Sequence, residues 1–265
     1  MNSYYKIIFT ILLLCYSGNL CSQLKFDIKS FNEKFETVEW LCVYDKIAWW
    51  TTDSVLAASA GERHKLGNEW FCYRKNGIWH AAYGKYEKGN YSTVFHYTVD
   101  SNAQISRVYS NIDSTEANAY SRALIRTSEL MKTVTDSFNN SFNRYIKRND
   151  DSTLSVWTLS GISKNGDAIY YGGEFYYKFD RLGIRLLQKN EIFKGCFRRI
   201  ESGKPREIWL DYREYDKPTL GAIFFVWNFK KYFTNVFIEN KESHSTVFFD
   251  KSKKEYYWTH IEDKK

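Results

Sequence analysis

The sequence predicts a mainly β fold, an antiparallel sheet, sandwich or barrel-like array, with one long amphipathic helix inserted between two groups of strands. Three observations predict it. Phe, Tyr and Trp make up 18% of the 265 residues, and pleated surfaces accommodate these side chains well. Two Asn-Gly pairs, Asn76-Gly77 and Asn165-Gly166, lie between alternating runs, and that dipeptide adopts the positive φ angles of a two-residue hairpin turn. Tyr120, Leu124, Met131, Val134, Phe138, Phe142 and Tyr145 recur at three, four or seven residues, which marks one apolar helix face.

The chain opens with Lys6 ahead of the apolar run 7–15, followed by Ser17, Gly18 and Asn19. That order is the pattern of a secretory signal peptide, and the run is too short to span a bilayer. The expected division is a signal peptide over residues 1–22, cut between Ser22 and Gln23, and a single β-rich domain over 23–265. Lipidation at Cys21 is the rival, although Asn19 and Leu20 are not the small residue such a site favours. No later run approaches about 20 apolar residues, so no transmembrane span is expected after signal removal. The expected address is the periplasm, the cell surface or the medium.

Strands are expected at 37–44, 47–51, 69–75, 78–86, 91–99 and 105–109, a first group over about 36–110. The helix follows over about 114–148, with Asp113 and Glu116 as its capping box and Lys147 and Arg148 at the negative end of its dipole. A second group over about 153–261 holds strands at 153–163, 168–179, 184–193, 206–215, 222–229, 235–239, 245–249 and 256–261. Regular spacing with short polar turns suits an antiparallel array. The Asn76-Gly77 turn sets Tyr73 opposite His80 and Cys72 opposite Ala81; the Asn165-Gly166 turn sets Trp157 opposite Glu174. Gly172-Gly173 reads as a bulge or bend within a strand. Glu39-Trp40-Leu41-Cys42 returns as Glu69-Trp70-Phe71-Cys72, an echo that would place Cys42 and Cys72 on adjacent strands as the disulfide partners. Cys196 would then be the thiol left over.

The formal charge is +7, with lysines and arginines spread rather than run together, which suits a solvated basic surface. With an export signal, the expected partners are an envelope protein or a glycan rather than a nucleic acid. The helix and the charged end Glu262-Asp263-Lys264-Lys265 fit a transmembrane barrel poorly.

Templates for chemistry fail one after another. No two histidines stand three to five residues apart and no Cys-x-x-Cys occurs, so no metal site is expected. Gly-x-Ser-x-Gly and both Gly-rich phosphate loops are missing, so no catalytic residue and no cofactor are assigned. Glu174 lies in an apolar run where burial would raise its pKa, but alternation against Tyr171, Phe175, Tyr177 and Phe179 points it outward. The Lys88-Gly89 turn sets His80 opposite Tyr97 and turns His96 to the other side, opposite Ala81; only a one-residue slip would bring the two imidazoles together. The candidate ligand-binding residues are therefore Tyr73, His80 and Tyr97 on one sheet face, together with Trp49 and Trp50. Neighbours on a strand face opposite ways, so one of that tryptophan pair is exposed, covered, or used to stack on a ligand. The expectation is a non-catalytic binding or scaffold protein of the cell envelope. A glycan-active hydrolase with an unidentified carboxylate pair and a purely structural envelope component are the alternatives.

Overall fold

A computed structural model describes residues 26–110, 112–135, 142–161, 168–201 and 207–263. The expected signal peptide at 1–22, with Cys21, and the expected turn at Asn165-Gly166 lie outside the described residues.

Among the described residues four α-helices and twelve strands follow in order: α1 (Ile28–Leu56), α2 (Ala60–Arg63), β1 (Glu69–Lys75), β2 (Ile78–Glu87), β3 (Asn90–Val99), β4 (Ile105–Arg107), α3 (Ser114–Thr135), β5 (Phe142–Arg148), β6 (Leu154–Ser160), β7 (Ala168–Phe179), β8 (Leu186–Glu201), β9 (Glu207–Asp211), α4 (Leu220–Phe229), β10 (Asn235–Glu239), β11 (Ser243–Asp250) and β12 (Glu255–Glu262). The strands form three four-stranded sheets: β1-β2-β3-β4, β5-β6-β7-β8 and β12-β11-β10-β9. The first two are antiparallel meanders. In the third, β9 and β10 run parallel, because α4 carries the chain back to the starting end between them. The mainly β class and the helix between two strand groups are as the sequence predicts.

Three expected elements change type. Residues 37–44 and 47–51 are not strands but part of α1. Their aromatic and β-branched residues favour strands, yet Phe31, Val38, Leu41, Tyr44, Ile47, Thr51 and Val55 are buried at helical spacing, and that stripe decides the outcome. Asp27 starts the helix by accepting the Ser30 amide at 2.9 Å, satisfying one of the amides left free in a first turn. Residues 222–229 are likewise helical. Leu220–Phe229 is apolar almost all round, and such a run carries no period to separate a buried helix from a strand. The inserted helix stops at Thr135 rather than near 148, and Phe142–Arg148 pairs with β6 as a strand. Its start is as expected, with Asp113 accepting the Glu116 amide at 3.1 Å. The echo between residues 39–42 and 69–72 is therefore one helical and one extended segment, not a repeated β unit.

The β1 edge of the first sheet meets the β5 edge of the second. α1 covers one face of this surface, meeting Cys72, Trp79, Ala81 and Tyr83 of the first sheet and Tyr145 and Leu159 of the second. α3 covers the other, against Phe71, Tyr73 and Ala82 and against Val156, Phe175 and Tyr177. α4 and the third sheet complete the α1 side of the core. Each fully buried Leu, Ile or Phe in these layers contributes about 1.5–3 kcal/mol. Among the described residues no helix is long and apolar enough to cross a membrane.

Candidate functional site

Strand alternation builds a cleft on the second sheet. Trp157 pairs with Tyr176, and Tyr176 pairs with Asn190. One row along, Leu159 pairs with Glu174 and Glu174 with Ile192, so all these side chains share one face. α1 and the segment before α4 wall that face and leave a cleft of about 890 Å³. Trp157 and Tyr176 lie on its floor with ring centroids 5.6 Å apart. Trp40 of α1 backs Trp157 at 5.9 Å. Gln188 and Asn190 are exposed beside the rings, and Glu33, Lys34, Asp216 and Lys217 form a rim of mixed charge.

Glu174, at the inner end of the cleft, faces inward rather than outward: alternation places it correctly, but α4 covers that face and leaves the residue 9% exposed. Its carboxylate accepts a short hydrogen bond from the Gly221 amide and one from the Thr219 hydroxyl. It therefore caps α4 beside Thr219, which itself accepts the Ala222 amide at 3.2 Å. Burial holds its pKa above the usual carboxylate value, against the pull of these hydrogen bonds and of Lys34. Lys34 in turn donates to the Pro218 carbonyl at 2.7 Å. The one buried carboxylate of the cleft is thus occupied in holding the chain.

The expected pairing of Trp157 with Glu174 is two residues out. Near its start β7 keeps the hairpin register, with the Tyr170 amide donating to Gly161 O at 3.2 Å. Gly172 then takes φ +110°, and β7 loses step with β8 between Tyr171 and Gly173. The bend expected at Gly172-Gly173 is there, and it carries Tyr176 opposite Trp157.

Of the sequence-predicted patch, Tyr73 faces His80 as expected, and the rings stack at 4.8 Å and 10°. Tyr97 does not join them: it pairs with Ala81 and packs into the α1 side of the core. The two-residue turn at Lys88-Gly89 forms, pairing Glu87 with Asn90, but the ladder passes from Gly84–Thr93 to Tyr83–Phe95 and leaves Val94 as an extra residue. This bulge supplies the one-residue slip, so His80 now faces Thr98 and His96 faces Ala82 on the same side of the sheet. His80 Nδ1 lies 3.0 Å from His96 Nε2, and His96 Nδ1 lies 3.4 Å from the Ser110 carbonyl. Burial, with the neighbouring His96, lowers the His80 pKa to about 4, and burial lowers that of His96. Among the described residues no three His, Cys, Asp or Glu side chains converge to hold a metal.

Trp49 and Trp50 lie on α1, not on a strand, where neighbours are about 100° apart rather than opposed. Trp49 is 51% exposed and lines a second groove of about 640 Å³ with Lys46, Trp227, Lys230 and Tyr232. Trp50 is half-buried with the Lys46 ammonium 5.7 Å from its ring centre. Cys42 and Cys72 are free thiols, one on α1 and the other on β1, with no disulfide between them. Burial pushes the Cys42 thiol up to about 12 and that of Cys72 well above its ordinary value, so neither is a ready nucleophile.

Comparison with protein families, with curated proteins and with solved structures gives no match.

Proposed function

We propose that this chain is an exported, extracytoplasmic binding protein of the cell envelope, and that it holds a saccharide in the cleft between α1 and the second sheet without cleaving it. The observation that carries this reading is the composition of the cleft floor. Two aromatic rings, Trp157 and Tyr176, lie side by side with the amides of Gln188 and Asn190 next to them. Apolar ring faces suit the C–H faces of a sugar, and amides at their edge both donate to and accept from its hydroxyls. The engagement of Glu174 with α4 supports binding over a hydrolysis that would use this buried, raised-pKa carboxyl group as its acid. The export half of the proposal rests on the signal-peptide pattern of residues 1–22.

Screening the purified chain against immobilised envelope glycans tests the binding. Retention of at least one glycan, lost in Trp157→Ala and weakened in Asn190→Ala, is the expected result. No retention, or retention untouched by Trp157→Ala, would remove the reading, and release of reducing ends from a retained glycan would replace it with the hydrolase. The export half is tested separately by sequencing the N-terminus of the exported protein, which should begin at Gln23.

A further inference from the structure

We infer that His80 and His96 form a two-histidine chelate for a divalent late first-row transition metal, with copper(II) preferred. The rings come from neighbouring strands, and His80 Nδ1 stands 3.0 Å from His96 Nε2. Two nitrogens bound to one ion at about 2.0–2.1 Å lie about 2.9 Å apart at a right angle and about 3.4 Å apart at the tetrahedral angle. The observed separation therefore lets both nitrogens share one ion with only a small ring movement, and of the divalent first-row metals copper(II) binds nitrogen donors most tightly.

The surroundings hold both rings where a metal would need them. The Ser110 carbonyl, 3.4 Å from His96 Nδ1, keeps the proton on that nitrogen and leaves Nε2 with its lone pair. A carbonyl behind the far nitrogen is the usual support of a ligating imidazole. Tyr73 lies flat against His80 at 4.8 Å. His96 is 5% exposed and anchored, whereas His80 is half-buried, so one donor is fixed and the other is reachable. Glu116 of α3 attracts positive charge at His80, and Lys75 opposes it. Without metal, His80 Nδ1–H donates to His96 Nε2. With metal, the ring proton of His80 passes through solvent from Nδ1 to Nε2, so both imidazoles stay neutral and no net proton is released. Water would fill the remaining positions, since only two protein donors converge.

The test is copper(II) titration of the tag-free chain, followed by calorimetry and by electron paramagnetic resonance. One copper per chain with two imidazole nitrogens in its hyperfine pattern is expected, together with a melting temperature raised by copper. His80→Gln should weaken binding by more than about tenfold, while His64→Gln and His244→Gln, which lie outside the pair, should leave it unchanged. His96→Asn should abolish the two-nitrogen pattern in any fraction that circular dichroism shows to be folded. Absence of binding, a wild-type pattern with fewer than two imidazoles, or unchanged affinity in folded His80→Gln would overturn the assignment.

Discussion

At the scale of single residues, Gly84 decides which side chains meet. A Cβ added there would lie 2.2 Å from Ser92 O and 2.7 Å from the Tyr91 ring, so only glycine lets β3 approach closely enough to bulge at Val94. Gly84→Ala should therefore cost about 1–3 kcal/mol, the usual range for overpacking, read from the denaturant midpoint. It should also disturb the His80–His96 contact, visible as altered histidine ring resonances. A neutral effect on stability would show that the bulge does not depend on the missing side chain. The Tyr73–His80 pairing was legible because Asn-Gly names its own turn. Placing Tyr97 beside His80 failed because a bulge leaves no alternation break in Ser92-Thr93-Val94-Phe95. The available signal was a glycine in the interior of a strand pattern.

His260 gives a pH prediction at the same scale. Its ring stacks on Phe26 at 4.0 Å, meets Phe31 edge-on at 4.3 Å, and lies 2.9 Å from the Ser245 hydroxyl. Burial lowers its pKa from 6.5 to about 4. Between those values the unfolded chain binds a proton that the folded chain refuses, so stability is lost as pH falls through that window. His260→Gln should make the decline in melting temperature from pH 6.5 to pH 4 shallower than in the wild type. It should not abolish the decline, because His80 and His96 shift in the same direction. An unchanged slope would mean that His260 protonates as readily folded as unfolded.

At the scale of elements, α4 shows how a helix start and a binding cleft depend on one another. Helix propensity alone makes Gly→Ala favourable by about 1 kcal/mol. At Gly221 the sign should reverse, because the new Cβ would stand 2.2 Å from Glu174 Oε2 and 2.8 Å from Glu174 Cβ. Gly221→Ala should thus lower the melting temperature and, by displacing Glu174, weaken any ligand of the cleft. A stabilised variant would show that Glu174 yields without cost. Both misassigned helices trace to one physical ambiguity. In α4 the apolar run is continuous and carries no period. In α1 the period is present at Phe31, Val38, Leu41, Tyr44 and Val55, but Trp, Tyr and Val in the same stretch suggested strands. The cleft stayed hidden for a related reason: its floor depends on the two-residue shift at Gly172, and its wall on a helix read as two strands.

For the whole molecule, the question is whether three sheets make one cooperative unit, and α1 is the element that decides it. Phe31 and Phe35 reach Trp258 of the third sheet with ring centres 5.0 and 6.0 Å apart. Tyr44 Oη accepts the buried Cys72 amide of the first sheet at 2.8 Å. Asp45 accepts from Tyr145 at 2.8 Å and Asn143 at 3.2 Å in the second. Burial raises the Asp45 pKa even so, which places this junction in the interior. Leu41, on the same stripe, is fully buried. We propose that the described chain unfolds as a single domain through this helix. Leu41→Ala should cost about 2–5 kcal/mol, the range for removing a buried leucine side chain. If α1 couples the sheets, calorimetry should show one transition shifted down as a whole, with calorimetric and van't Hoff enthalpies still equal. Near-ultraviolet and far-ultraviolet signals should move together. A second transition that keeps the wild-type temperature would mean that one sheet folds independently of α1, and the chain would then have to be divided into two domains.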